Sequence, residues 1–317
     1  MARLLLALVL AATAPLSWSQ AYPVKPVRFI VPFQPAGPSD VVARLVGARL
    51  AQAWGQQVVV ENRPGASGNM GALSVARAAP DGHTVLVTTS SIAVNATLFA
   101  QPGYDLLRDL VPVINIASSP NVIVANSAWG PTTLRDAMDK ARREKAAYGS
   151  PGTGTTPHLT AEYLFRVLAK LDITHVPYKG GAPVATAVAA GEVPIASAAL
   201  PSVMPFIRSG RVVALAVTSM QRVPAIPNVP TVEEAGFSGL SDDTWVGLFV
   251  PAGTPAAVVK RINADASQVI AHPDVQARIA AAGFEVEGGS PEAFARYVKD
   301  EVARWAKIVR ATGAKEQ

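Results

Sequence analysis

The segment VRFIVPFQPAGPSDVVARLVGARL, residues 27–50, gives the first indication of the fold. Its opening run, residues 27–33, is short, apolar and rich in β-branched residues, as buried parallel strands are. A turn-forming stretch, residues 34–39, separates this run from apolar residues that recur with helical spacing. Ser39 and Asp40 stand at the start of that helix as capping candidates. The segment therefore predicts a strand, a loop and a helix in succession.

Strands and helices continue to alternate along the rest of the chain. Further predicted strands are QVVVE, HTVLVTTSS, NVIVANSA, ITHVPYKG, VPIASAA and VVALAVTS. Further predicted helices cover MGALSVARAA and residues 132–145, 157–169, 182–190, 202–209, 255–271 and 291–311. This alternation indicates an α/β fold in which helices flank a parallel sheet.

The elements group into two α/β sets, which predicts two lobes. The chain is expected to cross between them near residues 115–124 and again near residues 218–229. The first lobe then comprises residues 22–122 and 220–317, and the second comprises residues 123–219. In open α/β sheets, ligands bind at the carboxyl ends of strands, against the loops that lead into helices. Three loops meet that description: residues 34–39, 88–91 and 150–156.

The first 21 residues differ in character from the remainder. Arg3 precedes an uncharged, mostly apolar run, and small residues, Ser19 and Ala21, precede a plausible cleavage point at Tyr22. This pattern predicts a secretory signal peptide over residues 1–21, and the apolar run is too short to span a bilayer. The alternative is a membrane anchor. The mature protein is expected to be exported and soluble, and without any cysteine it has no disulfides.

Composition and charge exclude several classes of protein. Half of the residues are hydrophobic, which argues against disorder, and the formal charge is only +5. No dense basic block or basic-aromatic stripe is present, so nucleic acid is not an expected partner. The weak positive charge is equally compatible with a small acidic ligand, so the charge alone does not identify the partner.

Motifs for catalysis, metals and cofactors are also missing from the sequence. There is no Gly-x-Ser-x-Gly pentapeptide and no phosphate-binding loop with its lysine. The four histidines show no pair at metal-ligand spacing, and cysteine is absent. We therefore expect no enzyme activity, no bound metal and no cofactor.

The stretch SPGTGTTPHLTAEYLF, residues 150–165, places glycines and threonines directly before a predicted helix. A helix start offers unpaired N–H groups and a positive dipole end, and glycines let an anion approach the backbone closely. The stretch can therefore hold a carboxylate. In the alternative, Thr155 or Thr156 only caps its own helix. We interpret His158 as a packing or capping residue, and a contact with the ligand is the second interpretation. Ser90 similarly reads as a hydrogen-bonding group rather than a nucleophile.

Six longer motifs carry a resemblance to a known family. They are ENRPGASGNMGA (61–72), APDGHTVLV (79–87), GTGTTPHLTAE (152–162), HVPYKGGAP (175–183), LAVTSMQRVPAIPNVPTVEEAG (215–236) and GLFVPAGTP (247–255). Together they resemble the Bug family, the extracytoplasmic solute-binding receptors of tripartite tricarboxylate transporters. The resemblance spans residues 22–311 in the same order.

The resemblance implies a two-lobed periplasmic binding protein of type II, a Venus flytrap, with a mainly parallel sheet flanked by helices in each lobe. It implies a monomer that closes on a small carboxylate and delivers it to integral-membrane permease subunits. A second purpose for the same binding is ligand-dependent contact with a periplasmic sensor domain. The sequence leaves both purposes open.

By position, the resemblance also assigns the ligand-binding residues. These are Phe33, Pro35, Ala36, Gly37, Ser39, Ser90, Ser91, Ser150, Gly154, Thr155, Thr156, Tyr178 and Lys179. His158 is added to them as a candidate from its place on the first turn of the predicted helix. For Lys179, a solvated surface position is the alternative.

Two departures from the family pattern affect the expected ligand. The family usually has Gly-Gly where this chain has Ala36 and Gly37, and it often has Asp-Asn where this chain has Ala198 and Ala199. The missing acid removes one partner for an amino group. The hypothesis is therefore a plain mono- or dicarboxylate ligand and not an amino acid.

Overall fold

The computed structural model describes residues 22–315, so the predicted signal peptide lies outside the described residues. The first elements are β1 (Val27–Val31), α1 (Pro38–Trp54), β2 (Val58–Asn62), α2 (Asn69–Ala76), β3 (Thr84–Thr89), α3 (Ser91–Leu98), α4 (Leu106–Asp109) and β4 (Leu110–Asn126). Within residues 22–315, no helix combines the length and apolar character that a membrane span requires.

The chain then enters a second group of elements and returns. These are α5 (Leu134–Glu144), β5 (Ala147–Ser150), α6 (Thr156–Glu162), β6 (Thr174–Pro177), α7 (Gly181–Ala190), β7 (Ile195–Ala199), α8 (Leu200–Arg208) and β8 (Val212–Val217). The last elements are β9 (Asp243–Pro251), α9 (Ala256–Ala271), α10 (Pro273–Ala281), β10 (Glu285–Gly288) and α11 (Pro291–Thr312). After α6 the helix continues as a π-helical turn over Tyr163–Leu168.

Helix α5 shows how local sequence specifies these elements. The Thr133 hydroxyl accepts the Asp136 N–H and caps the helix. One face, with Leu134, Met138 and Ala141, is buried. Because these residues recur every three to four positions, they face the sheet together, and the charged residues between them remain in solvent.

Strand β4 joins the two lobes. The strands follow the order β2–β1–β3–β9–β4–β7–β5–β6, and β8 and β10 also pair with β4. Residues 110–120 of β4 pair with β9, whereas residues 121–126 pair with β7 and β8. The sheet partner changes between Pro120, which lies opposite Asp243, and Asn121, which lies opposite Ala199. The predicted two-lobed α/β fold is confirmed.

The sheets are mixed rather than mainly parallel. The outer pairs β1–β2, β1–β3, β5–β6 and β5–β7 are parallel, as the strand–helix alternation predicts. The central strands β4 and β9 are antiparallel to their neighbours because the chain runs along them from one lobe to the other and back. The first half of β4 was not predicted: it contains Pro112 and Pro120, which normally disfavour strands.

Each lobe buries hydrophobic clusters against its sheet. In the first lobe, one cluster lies under α1 and α9, and the other contains Trp245, Phe294 and Trp305. The two clusters of the second lobe include Val223 and Leu240, which follow β8 in the chain. The stretch 223–240 therefore packs with the second lobe, although the sequence division placed residues 220–317 in the first.

Candidate functional site

A narrow cavity of about 40 Å³ lies between the lobes, and we call it the inner cavity. Its lining residues are Phe33, Gly37, Pro38, Thr89, Ser91, Pro151, Thr155, Pro157, Gly180, Gly181, Ala199, Ser202 and Thr244. This volume has room for only a few water molecules.

Five helices begin at the inner cavity, from both lobes. They are α1, α3, α6, α7 and α8, whose starts contribute Gly37, Ser91, Thr155, Gly181 and Ala199 to the lining. None of the five has a side-chain hydrogen bond at its N-cap. Helices α4, α5, α10 and α11, which begin elsewhere, are capped by Asp105, Thr133, His272 and Ser290, whereas α2 and α9 also lack a side-chain hydrogen bond at the N-cap. At the cavity, the N-cap side chains therefore leave first-turn N–H groups uncapped, although the Thr156 N–H of α6 donates to Ser91 of the other lobe.

Among residues 22–315, no charged side chain lines the inner cavity. Its polar groups are neutral hydroxyls, those of Thr89, Ser91, Thr155, Ser202 and Thr244. The Ser202 hydroxyl is buried without a hydrogen-bond partner, and so is that of Ser39 in the first turn of α1. An unpaired buried hydroxyl carries a free-energy cost, which a ligand or water would remove.

Hydrogen bonds beneath the cavity connect the two lobes. The Ser90 and Thr156 hydroxyls lie 3.1 Å apart. The Thr156 N–H donates to the Ser91 hydroxyl at 3.3 Å, and the Thr156 hydroxyl lies 3.1 Å from that of Thr244. Since Thr156 begins α6 of the second lobe and its partners come from the first, these contacts join the lobes directly below the site.

A wider space, the outer chamber, adjoins the inner cavity and shares Phe33, Pro151 and Gly180 with it. It measures about 650 Å³ and is lined by residues 64–68 of the first lobe and by Tyr178 and Lys179 of the second. Lys179 is exposed and is the only charged side chain that lines it among the described residues.

Phe33, Gly37, Ser91 and Thr155 are thus the predicted residues that line the inner cavity. Two others from the first loop, Pro35 and Ala36, are exposed and line neither space.

Ala36 adopts a left-handed φ of 65°, and its N–H donates to Asp40 at 2.9 Å. Burial alone would raise the pKa of the Asp40 carboxyl, but hydrogen bonds from Arg44, Ala36 and Asn62 lower it. The loop is therefore anchored through an ionised Asp40.

Ser150 and Gly154 belong to the glycine-threonine loop and His158 follows it, but none of the three lines the inner cavity or the outer chamber. The Gly154 N–H donates to His158 Nδ1 at 3.2 Å, and the Ser150 hydroxyl lies 2.7 Å from His175 Nε2. A side chain on Gly154 would meet Asn95, Leu98 and Phe99. Gly154 thus allows the loop to approach the first lobe closely.

Comparison with known proteins agrees with this geometry. A family model described as "Tripartite tricarboxylate transporter family receptor" matches residues 42–314. The chain belongs to this receptor family. It is 35% identical over 310 residues to Protein BugT of Bordetella pertussis, covering 95% of this chain and 93% of BugT. The resemblance to the Bug family is therefore confirmed.

Two solved structures are similar along almost the whole receptor. Rpa4515 of R. palustris, described with adipate, has 34% identity and a TM-score of 0.89, with 93% of this chain and 99% of that chain covered. The periplasmic binding protein BugD has 31% identity and a TM-score of 0.88, with 93% and 100% covered. The receptor is thus a solute-binding protein and not an enzyme.

Sequence reasoning missed several residues at the receptor's cleft. The lining residues that it did not assign include Thr89, Gly180, Gly181, Ala199, Ser202 and Thr244. The Gly180-Gly181 pair precedes a predicted helix just as the assigned glycine-threonine loop does, so the same signal was available there. No local sequence feature of this kind marks Thr244, because only the pairing of β9 with β4 brings it to the junction between the lobes.

A buried polar network extends from Thr244 into the junction of the lobes. The Thr244 hydroxyl donates to Asn121 Oδ1 at 2.7 Å, and Asn121 donates to the Asp242 carboxylate. Asp242 also accepts from Thr160 and from Arg304 of α11. Burial raises the pKa of Asp242, and the Arg304 charge and the Thr160 hydrogen bond oppose that shift. The network fixes the floor of the cleft to the strands that join the lobes.

Proposed function

We propose that the receptor captures a small mono- or dicarboxylate between its lobes in the periplasm and delivers it to the membrane permease of a tripartite transporter. The observation that carries the proposal is the meeting of five uncapped helix starts, from both lobes, at a cavity without charged side chains. Neutral donors suit a ligand that must be released again, because they hold an anion without the strength of a buried ion pair.

A carboxylate in the inner cavity would be stabilised in two ways. Helix N-termini favour a nearby negative charge by roughly 0.3–1 kcal/mol each. Hydrogen bonds from hydroxyls to a charged group add about 1.5–3 kcal/mol each. Ser91 and Ser202 belong to opposite lobes and both line the cavity, so an anion bound to both hydroxyls would favour the closed arrangement.

The outer chamber favours the hypothesis that the ligand carries a second carboxylate. It adjoins the inner cavity and provides one cationic side chain, Lys179. Because Lys179 is exposed, its attraction to a distal carboxylate would be modest and sensitive to salt. The similar R. palustris protein described with adipate is consistent with a ligand that has two carboxylates.

The cavity wall argues against amino acids. Ala198 and Ala199 are buried; Ala199 lines the inner cavity, and its neighbour Ala198 stands where the family often carries an acid. With no carboxylate in the lining, a ligand ammonium group placed there would lose its hydration without gaining a charged partner. We therefore keep plain carboxylates as the ligand class.

We also propose a revised division of the lobes. The first crossing lies between Pro120 and Asn121, where β4 changes its partner strands. The packing of Val223 and Leu240 in the second lobe supports a second crossing close to Asp242.

A binding screen tests the proposed function. The mature protein from Tyr22 onward is titrated by calorimetry with individual C2–C6 monocarboxylates, C3–C8 dicarboxylates and amino acids, and melting is followed in parallel. We expect one carboxylate class to bind and to raise the melting temperature with its concentration. Stronger binding of an amino acid than of the matching dicarboxylate would contradict the ligand class. Failure of every carboxylate to bind would overturn the proposal.

A further inference from the structure

We propose that His158 is a positioning residue for ligand binding: from behind, its imidazole fixes the loop of residues 150–156 that presents Thr155 to the inner cavity. The inference rests on the proposed function, since it assigns a role in carboxylate binding. His158 itself lines neither the inner cavity nor the outer chamber, so it would act only through the loop.

The first support is the hydrogen bonding of the loop. The Gly154 N–H donates to His158 Nδ1 at 3.2 Å. The Thr155 N–H and hydroxyl both donate to the Gly152 carbonyl, at 3.2 and 2.8 Å. In a capping box, a Glu or Gln in the first turn reaches back to an N–H at the helix start. Here a first-turn histidine of α6 does so, and the Thr155 side chain is turned to the loop instead of capping the helix.

The second support is that another histidine holds the other end of the loop. The His158 and His175 rings stack, with centroids 4.1 Å apart and planes inclined by 30°. His175 Nε2 lies 2.7 Å from the Ser150 hydroxyl oxygen, which accepts the Gly152 N–H at 3.2 Å. The Ser150 hydroxyl also lies 3.4 Å from the Gly152 carbonyl, to which it can donate. The stacked pair therefore fixes the loop at Gly152 and at Gly154.

The contact to Gly154 requires an uncharged His158 ring, because Nδ1 serves as its acceptor. The titratable groups around His158 are Glu162 and Arg166 on its own helix, Tyr148 on β5, His175 on β6 and Lys315 beyond α11. Burial, followed by the nearby His175 and Arg166, lowers the pKa of His158 to about 3. The acceptor at Nδ1 therefore persists at neutral and mildly acidic pH.

The test compares two substitutions of the same residue. His158→Asn keeps an acceptor close to the position of Nδ1, whereas His158→Leu removes it and leaves the Gly154 N–H without its partner. For the carboxylates of the screen, we expect His158→Leu to raise Kd about tenfold and His158→Asn to stay within about threefold of the wild type. Amide hydrogen exchange over residues 150–158 of the unliganded protein should rise in the Leu variant only.

His272 provides the matched control. Its Nδ1 accepts the Asp274 N–H at 3.3 Å and caps α10, away from the cleft. His272→Leu removes the same kind of contact, so it should lower the melting temperature without changing Kd.

The outcomes separate the two proposals. Wild-type binding that His158→Leu leaves unchanged would overturn the role of His158 alone. An Asn variant as weak as the Leu variant, with normal exchange in the loop, would also overturn it. Absence of wild-type binding to every carboxylate would overturn the proposed function, and the binding role of His158 with it.

Discussion

The Ser90 hydroxyl, at the end of β3, lies 3.1 Å from the Thr156 hydroxyl, at the start of α6. This pair forms the floor of the cleft, and each partner belongs to a different lobe. Both side chains are fully buried. Neutral hydrogen bonds therefore join the two lobes next to the inner cavity.

Thr155→Leu should weaken carboxylate binding without unfolding the protein. Thr155 lines an inner cavity of only about 40 Å³, so a larger apolar side chain would fill it and remove a hydroxyl. We expect Kd to rise at least about tenfold by calorimetry, equivalent to about 1.4 kcal/mol. Thr186→Leu, on an exposed position of α7, is the control. Equal affinities for wild type and the Thr155 variant would remove Thr155 from the site.

Gly154→Ala should prevent full closure of the lobes. An added Cβ would lie 2.8–2.9 Å from atoms of Asn95, Leu98 and Phe99 in the first lobe. We expect a loss of affinity of about tenfold or more and a larger radius of gyration by X-ray scattering with saturating carboxylate. Gly130→Ala has a comparable positive φ but no atom within 4 Å of the new Cβ. Gly130→Ala should therefore lower the free energy of unfolding and leave closure of the lobes intact. Identical scattering of the two variants would refute a role for Gly154 in closure.

Ala36→Gly should stabilise the protein. Ala36 has a φ of 65°, a conformation that glycine adopts without the penalty of a Cβ. We expect a gain of about 1 kcal/mol in the free energy of unfolding, measured by urea denaturation. Ala277→Gly, on an exposed position within α10, should instead lose about 1 kcal/mol because glycine disfavours helix interiors. A loss in both variants would show that the loop does not strain Ala36.

Lys179→Gln should distinguish dicarboxylates from monocarboxylates. Lys179 lines the outer chamber, beyond the inner cavity, so only a distal carboxylate would reach it. We expect dicarboxylate Kd to rise about three- to fivefold and monocarboxylate Kd to change less than about twofold, with the difference shrinking at high salt. Lys307→Gln, exposed on α11, is the control. An equal effect on both ligand classes would place Lys179 outside any distal subsite.

The pH dependence of stability should differ in sign between two buried groups. The pKa of His158 is lowered from 6.5 to about 3, mainly by burial. As the pH falls below 6.5, the unfolded chain gains a proton that folded His158 does not take up, so stability is lost. Wild-type stability minus that of His158→Asn should thus fall by up to about 2 kcal/mol between pH 7 and 5.

Asp243 gives the opposite case. Its pKa is raised from 3.8 to about 7, first by burial and then by the neighbouring Asp242. Folded Asp243 binds a proton as the pH falls through 7, which relieves the cost of a buried charge. Wild-type stability minus that of Asp243→Asn should therefore rise between pH 7 and 5. Urea titrations at pH 7, 6 and 5 measure both differences in the free energy of unfolding. If the two differences changed with pH in the same direction, the pKa shifts of His158 and Asp243 would be contradicted.

The sequence by itself determined the two-lobed α/β fold and most of its elements. The period of the apolar residues and the turn residues between them are local features, so α1, β3 and α5 could be predicted from their own segments. The glycine-threonine loop was identified as a helix start for the same reason. The signal peptide and the ligand-binding residues assigned by the resemblance stay predictions.

Only the tertiary structure decided how these elements share the cleft. Thr244 and Ser202 reach the inner cavity through strand pairing and lobe packing, which bring together residues far apart in the chain. His158 follows the loop directly in sequence, yet its ring lies behind the loop, because stacking on His175 and burial orient it there. A local pattern determines an element and its period. The direction of a polar side chain depends on the neighbours that close around it, and those come from the whole fold.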